Sequence, residues 1–522
     1  MPTILDTQAN LAALQVPGVY VDIITPSPFI SGVPTNQVGV VGVGSWGPLN
    51  AIVYVSKPND CAYKIGVPVV RNRDIATHVW AASQVGGIAS FLCVRVSDGT
   101  DVAATAVIQT NCITLTAKYS GILGNSITFV VNAGTAANSY SAMIGFPGGA
   151  TEIFNNITGS GNAFWVNLAA AINNGNATRG PSNYVIASAG IGTTAPTLAT
   201  LVTLSSGTDG ASGVTDVMLV GQDTVPRKGM YALRNSGVDT FTLVDQSTSS
   251  QYSAIDSFAL SESALAVLAT VSGDTITNAV TTRTSAGLDD FWTWLIVGDW
   301  PTFYDSQNGY SRLINPTAFA IGLAGNLSPE QSPLNKPLRG ISSTQRNDAR
   351  QTYSDAELQV AELGGIDLIV GPPTTPGGQY YSFITGRNAS SNTAGNGVEW
   401  TRLTNFIARS LDSVAAGSIV GKLQSIQAND PTRRQAKALL DGFFAQLADP
   451  AVGSGGYGMI DTWSVQCDLA NNPPNLQARG YLFAYAAVRY LNTVRFFVIK
   501  LAGGGNVQVT SQSTVPTPAQ FS

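Results

Sequence analysis

Three changes of texture along the chain predict a multidomain α+β fold. Residues 35–97 and 225–365 alternate strand-like and helix-like segments, the pattern of a mostly parallel sheet covered by helices. Together they make one discontinuous central α/β layered domain. Between them, residues 98–224 run in short alternations of Thr, Ser, Asn, Gly and Ala, which predicts a separate β-rich inserted domain. Residues 456–501 hold three strand-like runs that complete a C-terminal α+β domain over 366–502.

In that last stretch Trp463, Val465 and Cys467 alternate with polar neighbours, as in a half-buried strand. Asn471, Asn472, Pro473 and Pro474 make a turn, because Asn tolerates unusual backbone angles and Pro cannot continue a ladder. Residues 480–489 and 495–501 are further apolar runs. Phe496, Phe497, Val498 and Ile499 are too continuously apolar for an edge open to water. Gly503, Gly504 and Gly505 then read as a hinge, followed by a strand-like segment with Asn506, Val507 and Val509. A packed meander, a hinge and a detached strand predict an arm, residues 503–522, that pairs with another chain.

The length of 522 residues allows about two to four domains. Hydrophobic residues make up 44% of the chain. Charged residues make up only 11%, against about 25% in ordinary soluble domains. Such a chain leaves much neutral surface, which suits permanent association; a monomer with a Ser/Thr/Asn surface is the plainer reading. The net charge of −5, with no basic block, argues against nucleic-acid binding. The N-terminus lacks a charged-then-apolar signal pattern, and no run approaches the ~20 apolar residues of a membrane span. Cys61, Cys93, Cys112 and Cys467 are scattered and read as buried small hydrophobes in a reducing compartment.

Residues 1–16 read as a polar leader. Val19, Tyr20, Val21, Asp22 and Ile23 alternate as a strand, and an isolated strand needs a partner for its backbone groups. Pro26, Pro28 and Gly32-Val33-Pro34 follow as a flexible joint, so residues 1–34 form an N-terminal arm and linker. Strands are expected over 38–43, 51–55 and 88–96, with helices over 58–65 and 74–85. In the insertion, 113–116, 126–132, 184–188 and 201–204 read as strands and 163–172 as a helix. Beyond it come helices over 227–235, 261–270 and 316–324 and strands over 240–244 and 292–297. A helix over 355–363 stops at Gly364-Gly365, and 366–370 is a strand. Leu403, Ile407, Leu411 and Val414 mark one stripe of a helix over 398–414. Pro431 opens another, through 447, where its missing donor costs nothing.

Enzyme motifs are weak. Gly42-Val43-Gly44-Ser45-Trp46-Gly47 has dinucleotide-site spacing, but Pro48 and a strand follow where a helix must begin. Residues 417–422 echo a phosphate loop with one residue missing and Leu423 in place of Ser/Thr. A Ser-His-Asp triad needs an imidazole, and His78, the single histidine, sits on a predicted helix. Zinc sites built on His are excluded by the same count. The reading therefore assigns no catalytic residue, metal or cofactor. Around Asp209, Ser206-Gly207-Thr208-Asp209-Gly210 suits a tight turn; a carbohydrate or ion site there is the sharper alternative.

The order Cys467-Asp468-Leu469-Ala470-Asn471-Asn472-Pro473, followed by the apolar pair ending in Phe496-Phe497-Val498-Ile499, resembles the C-terminal domain of contractile bacteriophage tail sheath proteins. Similar segments of that family match Pro17 to Val21, Ile30 to Val33, and Gly86, Gly87, Arg95 and Val96. Residues 121–125 and 206–210 resemble the segments bounding its sandwich-like insertion, and Pro337-Leu338-Arg339-Gly340 resembles another family turn. The resemblance implies a structural subunit, not an enzyme, that polymerises as hexameric rings stacked helically around a tail tube. It implies contraction that drives the tube through the host envelope. Strand exchange between subunits would use Val19, Tyr20, Val21, Ile23, Asn506, Val507 and Val509, hinged at Gly503, Gly504 and Gly505. The implied partners are the chain itself, the tail tube protein, and baseplate and tail terminator proteins, with no nucleic acid and no membrane insertion. The implied location is the virion tail, assembled in the host cytoplasm. The sheath of a headless contractile injection particle is the near alternative; a surface β-rich adhesin and an NAD-dependent enzyme are the distant ones.

Overall fold

In the computed structural model the described residues are 3–6, 20–23, 30, 32–87, 90–177, 179–372, 374–376, 378–453 and 456–498. Strands β1 (Thr3–Asp6) and β2 (Tyr20–Ile23) pair in parallel, Thr3 opposite Tyr20 and Asp6 opposite Ile23. The leader expected over 1–16 thus contains a strand. Among the described residues this pair joins no other sheet.

The centre is a six-stranded sheet. It is built from β3 (Gln37–Gly42), β4 (Ile52–Val55) and β5 (Ser90–Arg95), with α1 (Pro58–Lys64) and α2 (Ile75–Val85) between the last two. The chain then leaves for the insertion. It comprises β6 (Ala103–Ile108), β7 (Ile113–Ser120), β8 (Thr128–Ala133), β9 (Tyr140–Gly145), β10 (Glu152–Ile157), α3 (Asn162–Asn174), β11 (Val185–Ala189) and β12 (Val202–Thr203). On its return it adds β13 (Thr240–Leu243), α4 (Tyr252–Glu262), β14 (Leu265–Ala269), α5 (Ile276–Ser285) and β15 (Thr293–Ile296). The strand order is β15-β14-β13-β3-β5-β4. Only β4 runs antiparallel to its neighbour.

Successive side chains of a strand face opposite sides, so the sheet feeds two cores. Val38, Val40, Cys93, Val267 and Trp294 face α2. Val41, Leu92, Phe241, Leu243 and Leu268 face Tyr252 and Phe258 of α4. Both faces are dry, so the strands read as apolar runs without alternation. That explains one correction. The helix expected over 261–270 is instead the end of α4 followed by β14, whose Leu-Ala-Val-Leu-Ala run is buried throughout.

The insertion is a sandwich of sheets β10-β9-β8-β12 and β11-β7-β6. Phe129, Phe154, Phe164 and Trp165 fill it, together with Trp46 from the central domain. Its core ends at Leu204; Val214, Leu219 and Val220, inside the 98–224 expectation, pack into the central domain. Two buried groups join the units. Arg95 donates to the carbonyls of Gly47 and Ser120 at 2.9 and 2.7 Å. Asp209 pairs with Arg71 and accepts from the Ile122 amide. The Asp209 carboxylate is therefore committed to a tie, which corrects the ligand-site alternative.

After β15 come a hairpin of β16 (Pro301–Asp305) and β17 (Tyr310–Leu313), α6 (Thr317–Asn326), β18 (Ile341–Thr344), and α7 (Asp355–Leu363). Helices α2 and α6 pack closely: a Cβ at Gly322 would stand 2.6 Å from the Ala82 carbonyl oxygen. Ser354 and Glu357 close a capping box on α7. Short strands β19 (Ile369–Val370) and β20 (Ser382–Phe383) follow. Asp367 continues the central sheet beside β15, its amide donating to the Leu295 carbonyl at 2.9 Å. Ile366, Leu368, Val370, Phe383 and Ala389 are buried in the central cores. The boundary expected at 365/366 therefore falls inside the central domain.

The remainder is α8 (Val398–Ile419), α9 (Pro431–Ala448), β21 (Ile460–Gln466) and β22 (Tyr485–Tyr490). The glycines and lysine that echo a phosphate loop lie at the end of α8 and just past it, with no strand before them.

One half-buried carboxyl gives the fold a pH signature. Asp290 accepts from the Trp292 and Thr293 amides, and Asp256 accepts from the Thr293 hydroxyl. Burial, then the neighbouring Asp256, pushes Asp290 up to about 8. The folded chain keeps a proton that the unfolded chain releases near 4, so stability falls as pH rises between those values. Urea midpoints should drop from pH 5 to pH 8, and Asp290→Asn should make that slope shallower. An unchanged slope in the variant would contradict the assignment.

Candidate assembly interface

The C-terminal domain is fixed to the sheet by one carboxylate. Asp239 stands at the entrance of β13 and is 2% exposed. It accepts from Arg402 at 3.3 Å and from Arg409. Seven residues apart, these arginines lie two turns apart on one side of α8. Arg402 also donates to the carbonyls of Thr35, Leu327 and Ser328, and Arg409 to those of Gly237 and Val238. Desolvating such ions is costly, and only this full set of partners offsets it.

The same helix receives the incoming N-terminal segment. Ile30 is buried with Leu403, Phe406 and Ile407, each burial contributing roughly 1.5–3 kcal/mol. A Cβ at Gly32 would stand 2.7 Å from Phe406 Cζ. The Val33 amide donates to Ser410 Oγ at 3.2 Å. The joint expected over 26–34 is thus docked at Ile30 and Gly32–Val33, because apolar burial on α8 outweighs the entropy of a free linker.

The hairpin β21–β22 rests on α9, with Trp463, Val465, Ala486 and Val488 against Leu439 and Phe443. Asn472, fully buried, holds the turn by accepting from the Phe483 amide at 2.6 Å. Among the described residues this sheet has two strands, and the far edge of β22 is unpaired. The third strand expected over 495–501 is absent through 498. Phe496, Phe497 and Val498 are instead 82%, 83% and 76% exposed. Such a row of exposed apolar side chains marks an interaction surface, and among the described residues no strand pairs with it. The segment is nevertheless tethered. Thr493 donates to Glu399 at 2.9 Å, and Arg495 donates to the Thr385 carbonyl at 2.6 Å. Beside it lies a cavity of about 840 Å³ lined by Leu334, Leu358, Ile384, Val494 and Phe496.

Of the residues expected to exchange strands, Tyr20, Val21 and Ile23 lie in β2, paired with β1. Val19, Asn506, Val507 and Val509, and the hinge at Gly503, Gly504 and Gly505, lie outside the described residues. Among the described residues no group of His, Cys, Asp and Glu could hold a metal, and no helix is long and apolar enough to cross a membrane. The glycines at 44 and 47 serve packing: Cβ atoms there would meet Ile65 Cγ2 at 2.8 Å and the Lys64 carbonyl at 2.7 Å.

No family model matches the sequence, and no curated protein does. Solved structures do. The sheath tail protein of Desulfitobacterium hafniense superimposes with a TM-score of 0.56 at 16% identity, over 86% of this chain and 93% of that one. The sheath tail protein Lin1278 of Listeria innocua gives 0.55 at 16% identity, over 88% and 96%. The contracted helical sheath of the anti-feeding prophage gives 0.52 at 11% identity, over 94% and 99%. The fold is that of contractile tail sheath proteins. At these identities the likeness is carried by the backbone plan of the central sheet, insertion and C-terminal domain together.

Sequence reasoning missed three features of the structure. The strand Thr3–Asp6 is only four residues long. The Asp239 tie was visible only as two arginines at heptad spacing. The docking of Ile30 on a distant helix left no pattern, since Ile30 to Val33 is too short to show a period. Replacing Asp239 by Ala would strand two largely buried guanidiniums, which costs about 3–5 kcal/mol. Urea unfolding should read this as a large fall in midpoint, whereas Asp223→Ala, at an exposed pair, should leave it nearly unchanged.

Proposed function

We propose that this chain is the structural subunit of a contractile tail sheath. In this reading, copies polymerise as stacked hexameric rings around a tail tube and contract to drive the tube through the host envelope. No catalysis and no cofactor is involved. The observation that carries the proposal is the agreement of fold over more than four-fifths of the chain with sheath proteins, including a helical sheath in the contracted state.

The C-terminal domain supports a particular mode of assembly. Both arms begin there: the N-terminal segment docks on α8, and the chain beyond Val498 continues from the exposed apolar run. An unpaired β22 edge can accept a strand from another copy, whose main-chain hydrogen bonds do not depend on sequence. Tyr20, Val21, Ile23, Asn506, Val507 and Val509 are the proposed donors, with Gly503 to Gly505 as the hinge. Head-to-tail contacts close into rings or continue as helices according to their rotation, and a sheath of stacked rings uses both. The further partners would be the tail tube, baseplate and terminator proteins, and the location a tail or injection particle built in the host cytoplasm. A headless injector is the same reading with a different particle, supported by the likeness to the sheath of an extracellular contractile injection system.

Deleting residues 503–522 tests the mode of assembly. The truncated chain should remain folded by circular dichroism and sediment as a monomer where the full chain forms large species. Normal sheaths from the truncated chain would contradict the arm assignment.

A further inference from the structure

The open sheet holds a feature that the assembly does not use. After β3 the chain moves to one side, to β5; after β13 it moves to the other, to β14. The carboxyl ends of β3 and β13 therefore flank a topological switch point, the place where open α/β sheets bind ligands. A cavity of about 320 Å³ lies there. One wall is the segment before α2 and the first turn of that helix; the other is the β16–β17 hairpin. The walls are clamped: Arg312 donates to Thr77 Oγ1 at 2.8 Å, and Asn308 to the Pro68 carbonyl at 3.2 Å. Val70 and Tyr310, 54% and 45% exposed, stand at the mouth.

The lining separates ligand classes. An anion is disfavoured because Asp74 already occupies the N-terminus of α2, its carboxylate accepting from the Thr77 amide at 2.9 Å and hydroxyl at 2.7 Å. A cation is disfavoured because Arg71 and Arg312 share the same lining. Both guanidiniums are themselves neutralised, by Asp74 and by Asp305. What remains uncommitted is a mixed set. His78, 2% exposed, lines the cavity with Nδ1 lacking a hydrogen-bond partner. Trp300 Nε1 likewise has none. Asp245 Oδ1 lies 4.0 Å from His78 Nε2. Burial lowers the pKa of His78; its Nε2 stands 3.5 Å from the Thr317 hydroxyl, which leaves Nδ1 as the ring nitrogen open to a ligand. An imidazole nitrogen, an indole N–H and a carboxylate, beside a phenol, match vicinal hydroxyls on a ring.

We propose that this crevice is a binding site for a neutral polyhydroxylated ligand, a single sugar ring, either free or at the end of a glycan. The test is saturation-transfer-difference NMR on the full chain, with D-glucose, N-acetyl-D-glucosamine, maltotriose and glycerol as probes, and with inorganic phosphate as a competitor. At least one sugar should receive saturation, and phosphate should not displace it. Transfer to a monosaccharide assigns a free sugar; transfer confined to the terminal ring of maltotriose assigns a glycan end. Val70→Trp should plug the mouth and weaken binding at least roughly tenfold. Trp300→Phe keeps the ring but loses the Nε1 donor and should weaken binding with the circular dichroism spectrum intact, so a failure of Val70→Trp to fold does not remove the test. Absence of transfer to every sugar, displacement by phosphate, or unchanged binding in both variants would overturn the proposal.

Discussion

A buried carboxylate ties the C-terminal domain to the central sheet. Asp239 enters the central sheet at β13 and binds two arginines of α8, and α8 carries nearly everything in the C-terminal domain. The incoming segment at Ile30 packs on it, α9 packs beside it, and the β21–β22 hairpin packs on α9. Ion pairs of this kind contribute little net stability against an apolar replacement, but they fix geometry when every donor is met. Here the terminal guanidinium nitrogens are met by five backbone carbonyls as well as by the carboxylate, while Nε of each arginine has no partner. The result is a definite placement of the strand-bearing domain on the α/β layer.

In the proposed sheath, that placement is where assembly would transmit force. The insertion is tied to the sheet by Arg95 and the Arg71–Asp209 pair, and the C-terminal domain by Asp239. Arms that leave only from the C-terminal domain can hold neighbours together while the bodies re-pack. Strand addition suits such a joint, since its hydrogen bonds come from the backbone and form wherever an edge is open. The exposed run from Phe496 to Val498 is what an unassembled copy would present.

Much of this plan was legible in the sequence, and the failures have physical causes. The central strands showed as apolar runs because both of their faces are buried. The same property hid the boundary between α4 and β14, since Leu265 to Ala269 carries no period that separates strand from helix. The run at 496–498 was read as a covered strand, whereas among the described residues it forms no strand and its side chains are exposed. Domain boundaries at 224 and 365 were set by composition, whereas packing of Leu219 and Leu368 into the central core places them elsewhere. Asp239, Arg402 and Arg409 could not be matched from sequence because their separation of more than 160 residues is closed only by the fold.

The measurement that bears most directly on the central claim is electron microscopy of the purified full-length chain mixed with its tail tube protein. The account predicts striated tubes sheathing the inner tube, with the sandwich insertion resolved in each repeat after averaging. Dispersed monomers beside bare tubes, from a chain shown to be folded, would contradict it.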